Sequence, residues 1–146
     1  MRSEIRNLSA CDIPTLANIF ARVYSGDNWN ETWSVENASI RLNELVNSPL
    51  SIGFVYLLNN AVIGCAICET LSWYDGKHLE IKELFVEPEH QGMGVGTALL
   101  REIEKCRHNL NISKLFLWTS NTHTLITFYQ KMGFILDVSE VRLTKT

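Results

Sequence analysis

The stretch EPEHQGMGVGTALL, residues 87–100, sets Gly92, Gly94 and Gly96 within five positions and runs directly into a leucine-bearing helical pattern. A strand ending at Val86, a loop carrying Pro88 and three glycines ahead of a helix aim several free N–H groups, and the helix's positive end, at one point. Such a point binds an anion, and a phosphate is the expected one. A bulky Cβ would hold phosphate oxygens away from the amides, and glycine alone takes positive φ freely. The other reading of the same residues is a glycine-rich turn that only caps a helix. The stretch lacks the Gly-Lys-Ser/Thr ending of a P-loop. Its spacing Gly92-x-Gly94-x-x-Thr97 also misses the sixth-position glycine or alanine of a dinucleotide fingerprint.

Working outward, the residues ahead of the glycines are strand-like. SIGFVYLL (51–58), AVIGCAICETL (61–71) and HLEIKELFV (78–86) are three β-rich runs separated by Asn59-Asn60 and by Asp75-Gly76, the pattern of an antiparallel meander. Glycines that close a meander do not open the βαβ unit of a dinucleotide fold. Before the meander, EIRNLS is a short strand. A helix follows with Ile13, Leu16, Phe20 and Val23 on one face, Pro14 in its first turn and Gly26 beyond its end. A second helix spaces Val35, Ala38, Leu42 and Leu45, with Ser34 as N-cap and Pro49 as terminator. Beyond the glycines, Leu99, Ile103, Cys106 and Leu110 line a third helix and KLFLW is a buried strand. Leu125, Phe128, Tyr129 and Met132 mark a fourth helix ended by Gly133, and GFILDVSEVRLTK supplies closing strand material. The expected fold is mixed α/β (α+β), in the order β-α-α-β-β-β-α-β-α-β with room for one more strand, as a single domain over residues 1–146.

Composition narrows the function. The chain is 46% hydrophobic and 20% charged with a formal net charge of −3 and no long like-charge run, so no nucleic-acid partner is expected. No stretch reaches the ~18 apolar residues of a membrane span, and the N-terminus has no apolar signal region, so a cytoplasmic protein with no membrane partner is expected. Cys11, Cys65, Cys68 and Cys106 are too few for a disulfide scaffold and do not form two metal-type pairs. Cys65 and Cys68 lie three apart on a strand, on opposite faces, as core residues. His78, His90, His108 and His123 show no metal spacing and read as surface or loop residues, so no metal is expected.

At this point the sequence resembles the GNAT superfamily of acyl-CoA-dependent N-acetyltransferases. The superfamily signature Gln/Arg-x-x-Gly-x-Gly/Ala is matched by Gln91-Gly92-Met93-Gly94-Val95-Gly96, preceded by ELFVEPEH in the position of the family's fourth strand. An asparagine after strand five is matched by Asn121, and the FY-x-x-x-GF helix by FYQKMGF, residues 128–134. The resemblance covers residues 79–134. It implies acetyl-CoA as co-substrate, its pyrophosphate on the amides of Gln91, Gly92, Met93, Gly94, Val95, Gly96 and Thr97. It further implies that the pantetheine arm pairs with backbone at Phe85 and Val86, with Asn121 holding its amides.

An amine acceptor is mostly protonated at neutral pH, so the site must remove a proton before attack on the thioester. Strict alternation in LEIKELFV puts Glu83 on the face of Leu79, Ile81 and Phe85, an apolar setting that raises a carboxyl pKa. Glu83 is the candidate base or an acceptor contact; Glu80 falls on the opposite face, toward solvent. By resemblance, Tyr129 is the general acid that protonates the departing thiolate. An aromatic and acidic acceptor pocket is expected from Asp27, Trp29, Glu31 and Trp33 together with Glu69, Trp73, Tyr74 and Asp75, if these segments converge. The acceptor classes are a small-molecule amine, including an aminoglycoside 6′-N-acetyltransferase-like reaction, and a protein or peptide amine. A non-catalytic acyl-CoA-binding module is the alternative of a different class. The sequence leaves open whether the chain is a monomer or a homodimer.

Overall fold

The computed structural model describes residues 1–146. Five strands, β1 (Ser3–Asn7), β2 (Ser51–Leu58), β3 (Ala61–Trp73), β4 (Gly76–Val86) and β5 (Ile112–Leu117), form one sheet in the order β1-β2-β3-β4-β5. The first four are mutually antiparallel, and β5 pairs parallel with β4. The meander follows from its turns. Asn59 and Asn60 both take positive φ, 50° and 67°, as a two-residue hairpin between paired Leu58 and Ala61 requires.

Helices cover both faces. α1 (Ile13–Tyr24) and α2 (Val35–Val46) lie on one, over a core that includes Leu16, Phe20, Leu42, Val55, Cys65, Ile67 and Phe85. α3 (Val95–Asn109) lies on the other, over Ala66, Cys68, Leu79, Ile81, Leu99 and Ile103, with Phe128, Tyr129 and Met132 of α4 (His123–Lys131) packed beside it. Each fully buried leucine, isoleucine or phenylalanine contributes about 1.5–3 kcal/mol relative to exposure. Ser34 caps α2, accepting from the Asn37 amide at 3.0 Å, and Gly133 follows α4 with φ +94°. On α1 the buried face runs through Phe20 to Tyr24, while Val23 is only half-buried.

Two expectations are corrected. The closing strand does not form: residues 135–146 carry no regular structure, and Ile135, Val138, Val141 and Leu143 are all exposed. The Asp137 carboxylate accepts from both the Ser139 amide at 2.9 Å and its hydroxyl at 2.6 Å. This side-chain turn takes an N–H away from any ladder. Alternation also fails in β4. Ile67 pairs with Glu83 and Cys68 with Ile81, so Lys82 is an extra residue, a β-bulge. Leu79 and Ile81 therefore belong to the α3-side core, whereas Glu83 pairs with Ile67, a residue of the α1/α2-side core that also holds Phe85.

Candidate active site

Parallel pairing of β4 with β5 begins at Lys77 and stops at Ile81 and Leu117. From there to Val86, β4 is paired on its β3 side alone, so the edge facing β5 opens as a wedge with no strand across it. Phe85 and Val86 lie in that open half. The Phe85 side chain is buried, and the Val86 carbonyl accepts from Gln91 Nε2 at 3.0 Å, so the first residue of the glycine motif folds back onto the strand.

Past the strand, Pro88–His90 form a single 3-10 turn. Arg22 of α1 ties this turn down, reaching Glu89 Oε1 at 2.8 Å and Glu87 Oε1 at 2.9 Å, while His90 Nδ1 lies 2.7 Å from Glu87 Oε2. Gly92 and Gly94 take φ of +78° and +84°, the left-handed region where glycine is favoured. A Cβ added at either meets nothing within 4 Å. Gly94 is the N-cap of α3 and no side chain caps that helix, so the first amides of Val95, Gly96 and Thr97 are left for a ligand. Gln91, Gly92, Met93 and Gly94 are all exposed. Gly96 has a different reason to be small: a Cβ there would stand 3.1 Å from Phe128 Cζ, so it lets α4 approach α3. The Val95 side chain is core, leaving only its backbone to a ligand. Exposed, uncapped amides at a helix start, beside an open strand edge, fit the pyrophosphate and amide-bearing arm of coenzyme A.

Glu83 sits at the mouth of this wedge with its carboxylate only 11% exposed. Arg41 Nε of α2 donates to Glu83 Oε1 at 3.3 Å. Burial raises the Glu83 pKa. The nearby Tyr24 phenol and then the Arg41 cation oppose that rise without cancelling it, and the charge of Glu31 adds to it. A carboxyl held above its usual range is matched to accepting a proton near neutrality. The sequence reading misplaced the surroundings of Glu83. The bulge puts Glu80 on the same face, where it is 17% exposed and paired with Lys82 at 3.5 Å instead of solvated.

Tyr24 and Arg41 complete the surroundings of Glu83. Tyr24 is buried, its hydroxyl 3.4 Å from the Leu84 carbonyl and its ring packed by Phe20, Trp29 and Phe85 at centroid distances of 4.4, 4.8 and 5.9 Å. The one sequence signal for Tyr24 is its place four residues after Phe20 on the buried face of α1. Arg41, beside the buried Leu42, carries no such signal. Tyr129 is packed between Phe128 and Phe134, at 5.0 and 5.5 Å. Burial first, and then the Glu83 charge, push its phenol well above the ordinary value, keeping it protonated as a donor must be.

The proposed acceptor residues fall into two groups. Trp29 and Trp33 pack on the α1/α2 core beside Tyr24 and Phe20, with Trp33 Nε1 donating to Glu31 at 2.9 Å and Asp27 exposed nearby in sequence. Trp73, Tyr74 and Asp75 stand at the β3–β4 hairpin tip. Six residues, about 20 Å of strand, separate Ile67, opposite Glu83, from Trp73. The two segments do not converge. Asp75 is engaged by His78 Nε2 at 2.7 Å, and His78, expected at the surface, is buried under Trp73, whose ring stacks on it at 5.7 Å. A cavity of about 670 Å³ follows the outer edge of β5, where a sixth strand was expected. It is lined by Trp73, His78, Phe116 and Trp118, and meets the site through Asn121 and Tyr129.

Other groups are set aside. Cys65 and Cys68 are buried on opposite faces, as expected. Burial pushes the Cys65 thiol far up and the Cys68 thiol up to about 12, so neither is a nucleophile. No cluster of three or more His, Cys, Asp or Glu is placed to hold a metal ion, and no helix is long and apolar enough to cross a membrane.

Comparison with known proteins agrees with this fold. An uncharacterised N-acetyltransferase of Methanocaldococcus jannaschii is 26% identical over 136 residues, covering 89% of this chain. The chain spans 59% of that relative's length. Among solved structures, a predicted acetyltransferase from Clostridium acetobutylicum, crystallised with acetyl-CoA, superposes with a TM-score of 0.79 at 22% identity, covering 98% of this chain and 96% of that one. An aminoglycoside acetyltransferase from an uncultured soil metagenomic sample, in complex with sisomicin, gives 0.76 at 20% identity over 99% and 95% of the two chains. Residues 13–134 match the acetyltransferase (GNAT) family, and with the glycine loop, the opened strand pair and the α4 tyrosine in place, the chain belongs to that family.

Proposed function

We propose that the protein transfers the acetyl group of acetyl-CoA to a primary amine by direct attack, without a covalent enzyme intermediate. Acetyl-CoA supplies the activated thioester. The observation that carries the reading is the largely buried Glu83 side chain at the point where β4 parts from β5, with its pKa raised by burial and two tyrosines around it. Glu83 takes a proton from the acceptor ammonium, directly or through water, and the freed nitrogen lone pair then bonds to the carbonyl carbon. The carbon–sulfur bond breaks, and Tyr129 gives its phenolic proton to the departing sulfur, the nitrogen's second proton leaving as the amide forms and restoring the Tyr129 phenol. The uncapped amides from Gln91 to Thr97 hold the pyrophosphate, while the opened strand edge at Phe85 and Val86, with Asn121, holds the pantetheine arm.

For the acceptor, a small cationic amine is favoured over a peptide, because the Glu31 charge acts on Glu83 and Trp29 and Trp33 frame the same side. The fold neighbour that binds sisomicin is consistent with an aminoglycoside-like acceptor. Thiol release from acetyl-CoA across polyamines, aminoglycosides and neutral peptide amines tests the reading. A cationic small amine should have the highest kcat/KM, and Glu83→Gln should lose most of it. A preference for neutral peptide amines would move the acceptor to the peptide class. Absence of thiol release with every amine in the panel, beside intact coenzyme A binding, would support a non-catalytic acyl-CoA module.

A further inference from the structure

Three arginines hold carboxylates on the α1/α2 side, and one is unlike the others. Arg6 grips Asp12 with both terminal nitrogens at 2.9 Å, and Arg22 makes three contacts of 2.8–3.1 Å to Glu87 and Glu89. Arg41 holds Glu83 through Nε alone at 3.3 Å, with its side chain 35% exposed on a carboxylate that is only 11% exposed. The fork that makes arginine a firm carboxylate partner is not engaged. A largely buried carboxylate stripped of its cation is costly to keep ionised, so Glu83 stays charged in a site empty of amine only with a cation beside it. One that must also leave is best held by a single, longer bond from a side chain with access to water.

We propose that Arg41 is a placeholder for the acceptor: its guanidinium occupies, on Glu83 Oε1, the position that the acceptor's ammonium group takes, and it swings into solvent when the amine binds. The inference rests on the acetyl-transfer reading above, in which Glu83 meets the amine. It makes Arg41 a specificity-determining residue. An acceptor must bring its own cation to displace the guanidinium, and a neutral nitrogen lacks one. The groups whose charge or hydrogen bonding acts on Glu83 are Tyr24 from α1, Glu31 from the α1–α2 loop, Arg41 from α2, Tyr129 from α4 and Cys65 from β3, while Glu80 on the same face of β4 is paired with Lys82. Of the groups acting on Glu83, Arg41 alone is cationic.

The test is a pair of pH profiles on Arg41→Gln, because kcat/KM reports the free enzyme and kcat the complex with amine bound. Arg41 favours ionised Glu83 in the free enzyme, so its loss should move the acid limb of the acceptor kcat/KM to higher pH. With the amine in place the guanidinium has already left, so the acid limb of kcat should stay where it is in the wild type. Above both limbs the acceptor KM should fall about 3- to 10-fold, because a competing internal cation has been removed. Arg41→Met keeps the packing of the aliphatic stem and carries the same test if the glutamine variant does not fold. Equal movement of both limbs would mean that Arg41 stays on Glu83 through turnover and would overturn the proposal. An unchanged or raised KM would overturn it as well. Glu83→Gln separates this failure from that of the parent reading. If Glu83→Gln leaves the wild-type acid limb intact, the assignment of the base is wrong. If it abolishes the limb while Arg41→Gln changes nothing, only the placeholder falls.

Discussion

Replacing Gly94 by aspartate and by asparagine separates backbone strain from charge at the glycine loop. Gly94 takes φ +84° and a side chain there meets open space, so both variants bear a similar left-handed strain of about 1 kcal/mol. These are also the two residue types that tolerate it best. They differ by one negative charge at the start of α3. In the free protein that charge faces the positive end of a 15-residue helix with no side-chain cap, so Gly94→Asp should be more stable than Gly94→Asn by about 0.3–1 kcal/mol. With a phosphate on the same amides the sign reverses. At roughly 5 Å the repulsion is about 0.8 kcal/mol per charge pair in water and about 3 kcal/mol at an effective dielectric of 20. The loop is exposed, which favours the lower half of that range, so coenzyme A should bind the aspartate variant about 5- to 30-fold more weakly than the asparagine one. Calorimetric titration at two salt concentrations measures it, and the gap should narrow as salt rises. Stability and affinity thus move in opposite directions, which unfolding cannot mimic. Equal affinities in two folded variants would refute the phosphate cradle.

The other expectations concern individual side chains. Tyr129→Phe keeps the ring packing and deletes the hydroxyl, so turnover should fall about 10- to 1000-fold with coenzyme A affinity held; an unchanged kcat, measured where chemistry limits the rate, returns Tyr129 to a packing role. Glu83→Gln should remove the acid limb of the kcat/KM profile, a limb that lies above the ordinary glutamate range because burial raises the wild-type pKa. Asp12, buried and held by Arg6 and by the Ser9 amide, has its pKa lowered by these bonds. Asp12→Asn should therefore cost about 1–2 kcal/mol at pH 7 by thermal melting. Because the folded pKa lies below the unfolded one, the wild type's advantage is present above about pH 4 and should vanish as pH falls through the lowered value.

Most of the scaffold was legible because its signals are local. Ser34, Asn59-Asn60, Gly94 and Gly133 each stand where backbone geometry asks for that residue type, and each marks the boundary that the structure has. The glycine loop and Tyr129 were legible for the same reason, a motif contained in a few consecutive residues. What escaped depends on partners distant in sequence. Arg41 lies 42 residues from Glu83 and Tyr24 lies 60 from Leu84, and no periodicity within a helix reveals which strand residue its polar tip will meet. The split between Trp29 and Trp73 is likewise a matter of which end of the sheet each loop reaches. The closing strand was lost to a turn, Asp137 bonding Ser139, in a run whose apolar content looked sufficient. His78 was misread because its burial comes from Trp73 across a hairpin and from Phe116 on β5.

The extra residue at Lys82 changes the parity of β4, and with it the direction from which positions must be counted. Reading forward from Leu79 puts the Glu83 carboxylate in phase with Leu79 and Ile81; reading backward from Phe85 puts it in phase with the α1/α2 side, where it lies. One strand thus serves two interiors, and the added residue is what lets Ile81 and Glu83, two apart in sequence, face opposite ones. Deleting Lys82 would leave Ile67 opposite Glu83 and Cys68 opposite Ile81 in an unbroken ladder, so every side chain would keep its face and only the bulge would be lost. For a relative whose strand is one residue shorter, the equivalent of Glu83 has to be sought by its distance from the glycine loop and not by its distance from the hairpin.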